Sequence, residues 1–187
     1  MKLPLFFDDV ARIRVVDPLA DLLGAAEGGL LEYGYLDAVK LTGHSCPTVA
    51  GAYLMTRTAL ARLYPEALPR RGELRVELRQ ALDEGVAGVI ASVAGLITGA
   101  ANEGGFKGLA GRFARTGLLR FGVPMSGEIR FTRLDTGQVV ELSHRPQVVR
   151  PALYGRRRRA VVLHRDDHLR RDPARPEHLR RHPATGS

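Results

Sequence analysis

The chain has 187 residues, is 44 % hydrophobic and carries a formal net charge of +8 with one cysteine. That length buries a sizeable core and corresponds to one domain, or one domain with a tail. A single cysteine excludes an internal disulfide, so the fold is unstapled and a reducing compartment suits it. The charge is not evenly spread. Residues 150–187 hold 11 arginines against four acids, a net +7, whereas the first 149 residues hold 17 basic and 16 acidic side chains, a net +1. The basic character belongs to the tail, and nucleic acid is not the expected partner of the domain. No run approaches the ~20 uninterrupted apolar residues of a membrane span. The opening Met1 to Asp9 reaches two acids without a small-residue cleavage site, so a signal peptide is not expected and a cytoplasmic location is.

After an extended lead-in, Asp17-Pro18 reads as cap and first position of a helix through Leu19, Leu22 and Leu23, ended by Gly24 or Gly28-Gly29. Leu30 to Leu41, with Tyr33, Tyr35 and Val39, reads as a strand. From Pro47 to about Tyr64, Val49, Tyr53, Thr56, Leu60 and Leu63 recur at helical spacing. Pro65 ends that helix, and Pro69 to Gly72 makes a turn. Glu73 to Gln80 alternates strictly, which predicts a half-solvated strand with Leu74, Val76 and Leu78 on the dry face. Gly85 to Ile97 is apolar nearly all round and rich in Gly and Ala, a small-surfaced buried helix. It runs into the glycine-rich loop 98–108. Short alternating strands follow at Leu118 to Phe121, Glu128 to Arg133 and Val139 to Ser143, the last two joined by the hairpin signal Asp135-Thr136-Gly137. Beyond Arg150 the composition is that of a disordered, solvated tail. It is also what a GC-rich gene yields in a wrong frame, so a frameshift near residue 150 is a second expectation.

The chemistry concentrates in Gly43-His44-Ser45-Cys46-Pro47-Thr48, between the predicted strand and the long helix. Pro47 suits a first helical position, which sets Cys46 at the helix start, where unpaired N–H groups and the macrodipole favour thiolate over thiol. His44 at i−2 can ligate the same ion or exchange a proton with the sulfur. A zinc-type site takes about four ligands, and only two are evident here. An open site completed by water, substrate or a second protomer follows, with His144, Asp83 or Glu84 as candidates to complete it within the chain. A cysteine at a helix start also fits a small buried residue. In the loop, Lys107 among glycines could add charge to an anion cradle of backbone N–H groups, although the P-loop pattern is missing. A tight connection packed beneath the first helix is the alternative.

These residues carry a resemblance. The stretch Asp37 to Met55, with Gly43-His44-x-Cys46-Pro47 and then Ala50-Gly51-x-Tyr53, resembles the signature of the FmdE family of formylmethanofuran dehydrogenase proteins (FwdE-like). A Gly-x-x-x-Gly-x-x-Asn element at Gly95, Gly99 and Asn102 adds to it, and the resemblance spans roughly residues 30–133. It implies an α+β domain, a mixed or antiparallel sheet with packed helices, often dimeric. It further implies a divalent metal, commonly zinc, near the His-x-Cys element, with His44 and Cys46 taking the places of the family's His and Cys. Tyr53 and Asn102 fall on motif positions and, with Lys107, are the candidates for contacting a cofactor. Thr42, Thr48, Gly85, Gly88 and Leu96 depart from the pattern, and no cysteine remains for a zinc ribbon. That excludes a closed, cysteine-rich site.

The expected function is therefore a metal-binding module with His44, Cys46 and His144 as candidate ligands, open to a small molecule or partner protein, and forming a homodimer. Two alternatives stand beside it. One is an enzyme with Cys46 as nucleophile and His44 as its base; the other is haem binding or handling, with Cys46 or His44 as axial ligand.

Overall fold

Alternating apolar residues and well-placed prolines organise residues 4–146, the part of the chain that a computed structural model describes. The expectations of a disordered or frameshifted tail at 150–187 lie outside these residues. The fold is α+β, with two sheets and four α-helices among the described residues.

The first sheet is a small antiparallel pair, β1 (Ile13–Val16) and β2 (Leu30–Tyr33). Between them lies α1 (Pro18–Leu22), with Asp17 as its N-cap and Pro18 at its first position, as the sequence predicts. The Asp17 carboxylate accepts from the Leu19 and Ala20 N–H groups at 2.9 and 3.3 Å. The expected strand from Leu30 to Leu41 is only half correct. It stops at Tyr33, and Tyr35–Thr42 forms helix α2. Gly34 breaks the strand, and the Asp37 carboxylate accepts the Gly34 N–H at 2.8 Å, tying off the first turn.

Helix α3 (Pro47–Leu63) matches its periodicity. The second sheet runs in the order β4-β3-β5-β6, with β3 (Leu74–Leu78), β4 (Leu119–Arg120), β5 (Ile129–Arg133) and β6 (Val139–Leu142). β3 is central, parallel to β4 and antiparallel to β5, while β5 and β6 form the predicted hairpin. The crossover from β3 to β4 carries α4 (Ala87–Thr98), the predicted buried helix. Leu74, Val76, Leu78, Ile129 and Phe131 meet Val49, Tyr53, Leu60 and Leu63 of α3 and Ile90, Val93 and Ile97 of α4 in one core. Each such side chain, fully buried, contributes about 1.5–3 kcal/mol.

The other face of β3 corrects the expectation of a half-solvated strand. Glu77 is only 6 % exposed, because Arg75 and Arg130 lie over its carboxylate at 3.5 and 3.6 Å. Register sets Glu77 opposite both Arg130 and Arg120, and Arg130 opposite Glu141, so charges alternate across all four strands.

A buried ionic clasp joins the two sheets' ends. Asp17, 3 % exposed, accepts from Arg115 Nη2 at 2.6 Å and from Arg71 Nη1 at 2.7 Å. Two cations against one carboxylate leave an excess positive charge. Part of it is answered by the carbonyl end of α4, since Arg71 Nη2 donates to the Leu96 carbonyl at 3.2 Å. The Arg115 guanidinium lies against Gly72 and Gly99, both at positive φ, and a Cβ at either position would overlap it. Burial pushes the Asp17 carboxyl up, but the Arg71 hydrogen bond and the charges of Arg115 and Arg71 outweigh it and hold Asp17 below its ordinary value.

Candidate functional site

The turn between α2 and α3 is built by local rules. α2 ends at Gly43, whose φ of 76° is the left-handed cap that glycine adopts without cost, and its N–H donates to the Val39 carbonyl at 2.8 Å. α3 begins with Cys46 as N-cap and Pro47 at the first helical position. His44 and Ser45 are the two residues between these ends, so the chain presents His44 and Cys46 from a short loop fixed by a helix on each side.

His44 is exposed, and its Nδ1 lies 2.9 Å from the Thr42 carbonyl. A carbonyl only accepts, so Nδ1 carries a proton, and in the neutral imidazole it is Nε2 that keeps the lone pair. The Thr42 hydroxyl lies 2.9 Å from the Ala38 carbonyl and 3.1 Å from the His44 carbonyl, which pins the far side of the turn. Cys46 is half-buried and packs against the core edge. Burial raises its thiol, but the N–H groups of Val49 and Thr48 and the His44 imidazole more than offset that, so Cys46 ionises below its ordinary value. The sulfur completes no cap hydrogen bond; it sits in the field of those N–H groups. His44 is raised, chiefly by the Thr42 carbonyl and then by the Cys46 sulfur. The two groups favour each other's charged form, an imidazolium beside a thiolate.

The other candidates are placed as follows. His144 follows β6; its N–H donates to Glu128 Oε2 at 2.7 Å, and its ring lies against Gly51 of α3, where a Cβ would overlap it. Asp83 and Glu84 are exposed, and Glu84 closes its own turn by accepting the Ala81 N–H at 3.2 Å. Among the described residues no three His, Cys, Asp or Glu side chains gather into a metal-holding group. Tyr53 is fully buried, and its one hydroxyl proton is shared between the Ala11 and Tyr33 carbonyls, 2.9 and 3.0 Å from the oxygen, which makes it a tie between α3 and the small sheet. Asn102 organises the glycine-rich loop. Its Oδ1 accepts from Gly104 N–H at 3.1 Å, and its carbonyl accepts from Gly105 and Gly117 at 3.0 and 3.2 Å. Those N–H groups are thereby spent internally, and Lys107 is exposed on the same loop.

Sequence reasoning passed over Tyr35 and Ser45, whose hydroxyls lie 2.8 Å apart. The signal was faint, because Tyr35 fell in a stretch read as strand. Asn102 also lines an apolar groove of about 390 Å³ with Leu41, Gly88, Gly95, Leu119 and Phe121; neither His44 nor Cys46 lines it. No helix among the described residues is long and apolar enough to cross a membrane.

Comparison of the chain with models of known families, with curated proteins and with solved structures finds no match.

Proposed function

We propose that the turn from Gly43 to Pro47 is an open metal-binding site of the FmdE (FwdE-like) kind, holding a divalent ion such as zinc through His44 Nε2 and Cys46 Sγ. The observation that carries this reading is the Nδ1 contact of His44 with the Thr42 carbonyl at 2.9 Å. A backbone carbonyl on one imidazole nitrogen fixes the tautomer and orients the other nitrogen for a metal, the usual outer-shell arrangement of ligating histidines. Cys46 supplies the complementary donor, a thiol biased toward thiolate. Imidazole plus thiolate suits zinc in kind but fills only two of its ~4 positions. The remaining positions belong, in this reading, to water, to a small molecule or partner protein, or to a second copy of the chain in a homodimer, in the cytoplasm. When bound, the ion would supply Lewis acidity at those open positions.

A second reading is favoured by the placement of Cys46 as N-cap of α3, two residues after His44: each group biases the other toward its charged form, as a thiol nucleophile and its base need. The haem alternative, with Cys46 or His44 as axial ligand, does not draw on the apolar groove, which neither of them lines.

Elemental analysis of purified wild type, His44→Ala and Cys46→Ala separates these readings. The metal reading expects bound zinc or a similar ion in wild type and its loss in both variants. Equal metal content in all three overturns it, and a metal-free wild type whose thiol alkylates rapidly at neutral pH transfers support to the thiol-enzyme reading.

A further inference from the structure

Ser45 stands between the two candidate donors, so whatever holds its side chain also sets the direction of the backbone on either side. Its hydroxyl lies 2.8 Å from the hydroxyl of Tyr35, the first residue of α2. Tyr35 is 3 % exposed. Its ring meets Phe7 edge-on at 5.1 Å and Tyr53 at 5.7 Å between centroids. Tyr53 is itself fastened to two backbone carbonyls. A rigid aromatic stack therefore ends in a hydroxyl that reaches out of the core and grips an exposed serine in the middle of the turn.

We propose that Tyr35, acting through Ser45, is the positioning residue of the His44–Cys46 pair, a role that rests on the reading of this pair as a ligand site. Gly43 frees the backbone at one end of the turn, and Thr42 holds only the His44 side of it. The α3 end anchors the Cys46 backbone, whose carbonyl accepts from Ala50 N–H at 3.0 Å, and the Tyr35–Ser45 bond adds a side-chain fixed point between the two donors. A pair held in place before the ligand arrives binds more tightly, because less conformational freedom is lost on binding. Loss of groups that orient metal ligands costs about 10–100-fold in metal affinity.

Tyr35→Phe keeps the ring and removes only the hydroxyl, Ser45→Ala removes the exposed partner, and Ser45→Thr restores a hydroxyl. Backbone ¹⁵N order parameters of residues 44–46 in the metal-free protein read the latch directly. They are expected to fall from about 0.85, the value of rigid backbone, toward about 0.6 in Tyr35→Phe and Ser45→Ala, with wild-type values in Ser45→Thr and unchanged values in α3. Cobalt(II) titration, followed by sulfur-to-metal charge-transfer absorption, then gives affinities about tenfold weaker in the first two variants than in wild type. If Tyr35→Phe does not fold, Ser45→Ala at its exposed position carries the test alone. Wild-type order parameters at 44–46 in the hydroxyl-less variants overturn the latch whatever the cobalt result. A wild type that gives no cobalt–sulfur band overturns the metal reading instead, and the order parameters still decide the latch.

Discussion

Replacing Asp17 by Asn removes one charge from a cluster that has no spare anion. Asp17 is 3 % exposed, and its two oxygens take the shortest ionic contacts in the clasp, 2.6 Å to Arg115 and 2.7 Å to Arg71. Asn retains an oxygen to cap α1, so the loss isolates the ionic contribution. Without the carboxylate, the Arg115 guanidinium, whose side chain is 7 % exposed, loses its ion-pair partner, while the carbonyl end of α4 holds Arg71 and not Arg115. Breaking a buried pair from one side costs about 3–5 kcal/mol. With a urea dependence of about 2 kcal/mol per molar for a domain of this size, the unfolding midpoint should fall by about 2 M with an unchanged slope. A midpoint within about 0.3 M of wild type would refute the assignment of the clasp as a main tie of the fold.

The same cluster sets the acid response. The Asp17 carboxyl is held below its ordinary value in the folded protein, so between the two values the unfolded chain binds more protons and stability rises with pH. The contribution is complete above the unfolded value of about 3.9 and is lost as pH falls through the folded one. Asp17→Asn should therefore flatten the stability–pH curve below about pH 4, read from urea midpoints at each pH; parallel curves for the two proteins contradict this. Three further predictions concern the turn and its supports. The Cys46 thiol should alkylate with a midpoint below the ordinary ~8.5, and His44→Ala should raise it; a midpoint unmoved by that change removes the coupling. Tyr53→Phe leaves the Ala11 and Tyr33 carbonyls without their hydroxyl donor and should cost about 1–3 kcal/mol in urea unfolding, so wild-type stability would contradict its role as a tie. Gly51→Ala should displace the His144 ring from α3, which the imidazole proton resonances report; an unshifted spectrum shows that the ring does not rest there.

Much of this fold is legible in sequence because its signals are local. Strict alternation marks β3, Asp17-Pro18 marks α1, Pro47 marks α3, and Asp135-Thr136-Gly137 marks the β5–β6 hairpin. The misreading of Tyr35 to Leu41 has a physical cause. Tyr33, Tyr35 and Val39 favour strands intrinsically, yet the backbone break at Gly34 and the Asp37 cap decide for helix. Glu77 looks like a solvent-facing strand residue until β5 brings Arg130 beside it. The clasp was beyond sequence reasoning altogether: Asp17 is visible as a cap, but Arg71 and Arg115 lie 54 and 98 residues away. His44 and Cys46 could be singled out because their relation spans two residues, whereas the Tyr35 hydroxyl that reaches Ser45 depends on how α2 folds back onto the turn.

Whether His44 and Cys46 bind one ion together is read most directly by X-ray absorption of the zinc-loaded protein. The expected spectrum has a sulfur shell at about 2.3 Å and imidazole nitrogen at about 2.0–2.1 Å in equal numbers per zinc, one of each for an open site or two of each for a site shared between copies. A zinc shell made only of nitrogen and oxygen, with no sulfur, would contradict joint binding by the pair.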